Sequence, residues 1–251
     1  RRVLFRSWIP FDDVLTYRGE PVLNGLFGVP KTSCLSSGEP ILRVIMNLVP
    51  SNSVMLQLEG AVKNLPSITA WMSLVADEGE TIRIWQSDMT NAFYLFALPP
   101  QWRRCLAFNI VVNGKQIDRD PARKYALSCC VLPMGWLSSV SVMQEVSERI
   151  LLRSMLPAGE QVVRNRPLPL WMVGLLKEAR EHRRIWWHVY LDNYAGGQVL
   201  GVSETSAAGD QLHQLAEKAW REAQVVSSEK KRKRAVEEAE ELGALDRKSV
   251  V

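Results

Sequence analysis

Apolar and polar residues alternate through TIRIWQSD, so that Ile82, Ile84 and Gln86 share a face with Asp88. This period of two predicts a strand with a carboxylate at its C-terminal end. CLAFNIVVNGKQI (105–117) reads as two strands around Asn113-Gly114, a dipeptide that favours hairpin turns. KYALSCCVLPMG predicts a further strand, stopped by Pro133 and Gly135. The period then lengthens. From Ser138, SSVSVMQEVSERILLRSML offers a serine cap, with Val142, Met143, Val146, Ile150 and Leu151 at helical spacing. WWHVYL is a strand that feeds HVYLDNYAGG (188–197), read as strand, two-residue turn at Asp192-Asn193 and second strand. Leu212, Leu215, Ala216, Ala219, Trp220 and Ala223 form one face of an amphipathic helix. Pro157 to Pro169 is a Pro- and Arg-rich connection expected on the surface.

Strand and helix signals that alternate irregularly predict an α+β fold rather than a regular βαβ winding. Composition narrows the class without naming it. The chain has 251 residues, 47% of them hydrophobic and 23% charged, which suits a soluble globular protein. No apolar run approaches the ~18 residues of a membrane helix, LPLWMVGLL being too short, so no membrane partner is expected. No leader pattern opens the chain, and a start at Arg1-Arg2 is expected of a fragment. Cys34, Cys105, Cys129 and Cys130 contain no CxxC pair and have no histidine at zinc spacing. Buried, reduced thiols and an intracellular setting, nuclear or cytoplasmic, are therefore expected. A net charge of +4 permits a polyanionic partner.

The chemistry lies in the two acidic strand tips. If their strands were neighbours in one sheet, Asp88 and Asp192 would converge although 104 positions separate them. Two-metal phosphoryl transfer requires such a pair, with divalent ions roughly 3.5–4 Å apart between carboxylates. Mg²⁺ (or Mn²⁺) chooses oxygen ligands and leaves room for substrate phosphates and water.

These residues also resemble a family. QSDMTNAFYLF looks like the first catalytic motif of the reverse transcriptases of retroelements, and VLPMGWLSSVSVMQ like their Leu-Pro-Gln-Gly block. YLDN resembles the Tyr-x-Asp-Asp hairpin, SSEKK the lysine-bearing motif after the next helix, and ELGA the Leu-Gly of the primer-grip hairpin. Upstream, LRVIMNLVPSN is similar to the fingers segment Arg-x-x-x-Asp-x-Arg-x-x-Asn. The blocks keep the family's order from Arg43 to Gly243. The resemblance implies a right-hand polymerase palm, an antiparallel sheet packed on helices, with partial fingers and no thumb. Residues 1–80 would be fingers-like and 81–251 palm, ending near the primer grip.

Carried over by position, Asp88 and Asp192 would hold two Mg²⁺ ions, beside Asn193. Phe93, five residues after Asp88, would lie under the incoming sugar and crowd a 2′-hydroxyl, selecting deoxynucleotides. Arg43 would clamp the triphosphate, with Lys31 a possible assistant by position. Met134 and Gly135 would line the nascent base pair, where glycine lets backbone approach. Tyr190 would touch the primer end, and Lys230 or Lys231 would neutralise or protonate the departing pyrophosphate. Each residue also has a plainer reading: Asp88 as a strand end, Asp192 as a turn former, Gly135 as a turn residue, Phe93 and Tyr190 as packing aromatics, Arg43 and the lysines as solvated charges.

Three positions depart from the family's pattern. Asn193 replaces the second carboxylate of the hairpin, removing a charge whose pairing at about 4 Å is worth on the order of 4 kcal/mol at an effective dielectric near 20. Met134 stands for the usual Gln, and Asn47 and Val49 stand for the fingers' Asp and second Arg. Three functions follow from the resemblance: an RNA-directed DNA polymerase (a nucleotidyltransferase) extending a primer on a nucleic-acid template with dNTPs; a retroelement remnant that only binds nucleic acid; or a viral RNA-directed RNA polymerase. Phe93 weighs against the last.

Overall fold

The structure is a computed structural model that describes residues 6–34, 37–67, 76–164, 185–201, 203–237, 239–241 and 244–246. In chain order its main strands are β1 (Arg6–Pro10), β2 (Gly25–Cys34), β3 (Pro40–Asn47), β4 (Glu80–Asp88), β5 (Ala107–Asn113), β6 (Lys124–Cys129), β7 (Ile185–Tyr190), β8 (Asn193–Gly201) and β9 (Lys233–Val236). The long helices are α1 (Ser139–Arg153) and α2 (Ala207–Glu222). The chain divides into two compact units interleaved along the sequence: residues 1–58 with 93–139, and residues 59–92 with 140–251.

In the first unit β1, β6 and β5 form an antiparallel sheet in the order β1-β6-β5, and β2 pairs with β3 as a long hairpin. Val14, Ala107 and Ala126 make a buried cluster against which Ile9, Phe11 and Leu23 pack. The expected turn at Asn113-Gly114 is not a tight hairpin. Asn113 instead caps a 3₁₀ turn, Gly114–Ile117: its Oδ1 accepts the Lys115 N–H (2.9 Å) while Gln116 Oε1 accepts the Asn113 N–H (2.9 Å). This reciprocal cap outcompetes the two-residue turn, so β5 pairs with β6 and residues 114–117 form no strand.

The second unit is built on one antiparallel sheet in the order β9-β4-β8-β7. β8 lies between β4 and β7, and Trp85, Trp186, Trp187 and Tyr194 on this sheet are fully buried. Helix α2 packs on β4 and β8. Its buried face is Gly209, Leu212, His213, Ala216, Ala219 and Trp220; Leu215 and Ala223, expected on that face, are exposed. Gly209 lets the helix approach: its N–H donates to Gln198 Oε1 (2.9 Å), and a Cβ there would fall inside the Trp85 indole. Trp85 Nε1 in turn donates to Asp210 Oδ1 (2.9 Å).

Beneath the same sheet lies a buried polar network. Ser87 Oγ is 2.7 Å from His213 Nε2 and 3.3 Å from Glu217 Oε1, and Glu217 pairs with Arg232 Nε (2.5 Å) and Arg234 (3.2 Å). The His213 ring stacks on Tyr194 with centroids 5.8 Å apart. Burial pulls His213 down to about 4 from 6.5; Glu217 opposes this and Arg234 and Arg232 reinforce it. The ring is therefore neutral at pH 7.

Two outcomes follow. Gly209→Ala should destabilise by about 1–3 kcal/mol through overpacking, despite the roughly 1 kcal/mol that helix propensity favours alanine; urea unfolding at pH 7 gives the sign. His213 takes up a proton in the unfolded chain near pH 6.5 but in the folded chain only near pH 4. Its contribution is whole above pH 6.5 and is lost as pH falls towards 4. His213→Gln should flatten that part of the unfolding-midpoint profile.

Candidate active site

The β7–β8 hairpin closes on a two-residue tip, Leu191-Asp192, with Tyr190 paired to Asn193. The bend is thus one residue earlier than Asp192-Asn193, and Asn193 is the first residue of β8. Leu191 takes the first loop position at φ 56°, a left-handed slot that glycine or asparagine fills far more readily. Helix α1 holds it there. Gln144 Oε1 accepts the Leu191 N–H (2.8 Å), Gln144 Nε2 donates to the Val189 carbonyl (2.9 Å), and Ser147 Oγ donates to the Leu191 carbonyl (2.7 Å). Glu148 accepts from Gln144 (2.8 Å) and from Asn64 (3.1 Å), and burial pushes its carboxyl up despite both bonds. A left-handed leucine costs about 1–2 kcal/mol, and hydrogen bonds contribute about 0.5–1.5 kcal/mol each, so the clamp offsets the strain.

The inner face of α1 is accordingly mixed: Met143 and Leu151 of the expected apolar stripe are fully buried, and polar side chains share that burial. Gln144 and Ser147 are fully buried and Glu148 nearly so, while Val142, Val146 and Ile150 are only half-buried. The sequence signal was present: polar residues recur at 144, 147 and 148, spaced to share one face of a helix.

Register then brings the two carboxylates together. Asn193 is the Cα partner of Asp88, and the Met89 N–H donates to the Asp192 carbonyl (2.8 Å), tying the tip to the end of β4. The Asp192 carboxyl is pushed up, first by burial and also by the charge of Asp88, against its own backbone hydrogen bond and Lys231. The Asp88 carbonyl accepts the Ser228 N–H (2.8 Å), and the turn Glu229–Lys231 follows. It is Lys231, rather than Lys230, that reaches the site, with Nζ 2.8 Å from Asp88 Oδ2. That contact raises the Lys231 ammonium. Tyr190, one residue before the tip, is 38% exposed.

The donor set suits a hard cation in kind, being carboxylate oxygen with an amide beside it. In number it is lean: among the described residues no three His, Cys, Asp or Glu side chains cluster. A divalent ion held by Asp88 and Asp192 therefore needs further oxygens from backbone, water or substrate.

The other expected residues belong to the first unit. Arg43 is exposed on β3 opposite Val29, and its charge reaches Tyr94, whose hydroxyl burial raises. Gly135 has φ 96°, which disfavours any side chain, and its carbonyl accepts from Asn52 Nδ2 (2.9 Å). Asn52 Oδ1 also accepts the Leu137 N–H (3.0 Å), so the asparagine that ends LRVIMNLVPSN staples the loop beside it. Met134 is 54% exposed and Phe93 half-buried. The Lys31 side chain, the Leu242-Gly243 pair and residues 165–169 of the Pro157–Pro169 connection lie outside the described residues; Ala239–Glu241 and Ala244–Asp246, either side of Leu242-Gly243, pair as antiparallel strands.

No family model matches the chain, and no curated protein does. Solved structures do. The chain is similar to a foamy viral protease-reverse transcriptase dRH in complex with double-stranded DNA, with TM-score 0.56 and 15% identity over 95% of this chain and 30% of that one. Native Prototype Foamy Virus protease-reverse transcriptase and its selenomethionine-labelled CSH mutant each match with TM-score 0.53 and 16% identity, over 94% of this chain and 23% of theirs. The chain spans less than a third of the length of each. Mixed helices and antiparallel sheet in this arrangement make a reverse-transcriptase-like fold.

Proposed function

We propose that the chain carries the polymerase site of an RNA-directed DNA polymerase, with Asp88 and Asp192 as the ligands of Mg²⁺. One observation carries this reading: the pairing of β4 with β8, which sets Asn193 opposite Asp88 and bonds Met89 to the Asp192 carbonyl. Carboxylates so placed suit divalent ions, which when bound lower the pKa of an attacking hydroxyl and neutralise charge on a leaving phosphate. In this reading residues 81–251 are the palm and residues 1–80 the fingers-like segment.

The remaining residues position the substrates. Tyr190, exposed beside the tip, supports the primer end, while Arg43 binds triphosphate oxygens through its guanidinium fork. Gly135 leaves backbone open to the base pair, and Met134 offers a thioether surface where an amide is usual in the family. Phe93 excludes the 2′-hydroxyl and so selects dNTPs. Asn193 keeps an oxygen donor beside the ions without its charge, and Lys231 supplies positive charge at the same edge. The likeness to a structure that contains double-stranded DNA supports a nucleic-acid template and primer as partners.

Primer extension with Mg²⁺ or Mn²⁺, offering dNTPs and NTPs separately, tests the reading. Extension with dNTPs alone is expected, and Asp192→Asn should reduce it by about 10²–10³, the usual loss when a group facing transition-state charge is removed. Extension that survives Asp192→Asn overturns the site. Silence with both metals in a protein that still binds duplex favours a non-enzymatic remnant. Phe93→Val should admit ribonucleotides; unchanged selectivity removes its role as a gate.

A further inference from the structure

We propose that Lys231 is a built-in counter-cation of the Asp88–Asp192 pair, and that a divalent ion binds there in competition with its ammonium group. The proposal rests on the reading of these carboxylates as metal ligands. Its ground is the contact between Lys231 Nζ and Asp88 Oδ2 (2.8 Å), on the oxygen set that the ion would use. Backbone structure fixes the approach. The Ser228 N–H is bonded to the Asp88 carbonyl, Lys231 N–H returns to the Ser228 carbonyl (3.2 Å), and Lys233 is in register with Gln86 on β4. The next residue, Arg232, is anchored by Glu217 (2.5 Å) and Glu229 (2.6 Å). Lys231 is therefore carried to Asp88 by a turn held on both sides, not by a free tail.

Charge makes the competition matter. With Asn193 neutral, the edge holds two negative charges from Asp88 and Asp192, and Lys231 cancels one of them. An arriving ion must displace the ammonium from Asp88 Oδ2 or share the oxygen with it, and either weakens metal affinity. Because 65% of the lysine side chain is exposed, it can swing into water once displaced. The turn keeps it near, where it is free to meet an anionic group.

Mn²⁺ binding to the 251-residue chain, read from the electron paramagnetic resonance of free Mn²⁺, tests this without activity. Lys231→Gln should bind Mn²⁺ about three- to fivefold more tightly than the parent, the upper scale of a partly exposed ion pair, and the gap should shrink as monovalent salt rises. Lys230→Gln, the same charge change one residue away, should stay within about twofold. Equal tightening in both variants, or none in Lys231→Gln, overturns the proposal while leaving the metal site intact if Asp88→Asn still weakens binding. Binding that Asp88→Asn leaves untouched overturns the metal-ligand reading itself and the proposal with it. Labelling of Lys231 by an amine-reactive reagent, followed by peptide mass spectrometry, should rise when Mn²⁺ is added; unchanged labelling counts against displacement.

Discussion

Antiparallel pairing of Glu80–Asp88 with Asn193–Gly201 is the interaction on which the site depends. Its register runs unbroken from Asn193↔Asp88 to Gly201↔Glu80, so a slip of one residue would move every side chain of one strand to the other face. Trp85 and Tyr194 resist such a slip. Both are fully buried on the side covered by helix α2, a side that Gly209 allows the helix to approach closely. Burial below the sheet thus sets which carboxylates stand together at its end.

Around that register the protein places buried polar groups rather than more hydrocarbon. Gln144, Ser147 and Glu148 hold the hairpin tip from one helix; Ser87, His213 and Glu217 link the sheet to the other. Such networks stabilise only when their members are satisfied, and satisfied they specify one geometry. Leu191 shows the benefit, since a left-handed leucine persists where its backbone N–H and carbonyl are both taken by fixed partners. Glu217 does similar work by gathering Arg232 and Arg234 against the sheet, which leaves Lys231 directed at Asp88.

The charge balance of this edge differs from what a hairpin with two acidic residues would create. An amide, Asn193, stands where a carboxylate would, Asp88 is paired with an ammonium, and burial pushes the Asp192 carboxyl up. A site of this kind is electrostatically quieter before any cation arrives.

Much of this was legible in the chain itself. Alternation in TIRIWQSD and HVYLDNYAGG specified strands that end in carboxylates, because a period of two is a property of neighbouring residues alone. The motif order pointed to the same fold that the solved structures share. Local chemistry misled where a competitor lay a few residues away, as when Gln116 and Asn113 made a reciprocal cap in place of a tight turn. It also missed residues whose value depends on a distant partner: Gln144 and Ser147 as the clamp on Leu191, Asn52 as the staple on Gly135, Glu217 as the anchor of Arg232. By itself, then, the sequence determined the strand or helix character of the segments that carry a clear period, and it pointed to the side chains proposed to carry chemistry. Only the tertiary structure decided that Asp88 meets Asp192 and that Lys231, not Lys230, joins them, because pairing register and helix docking join residues that no local spacing relates.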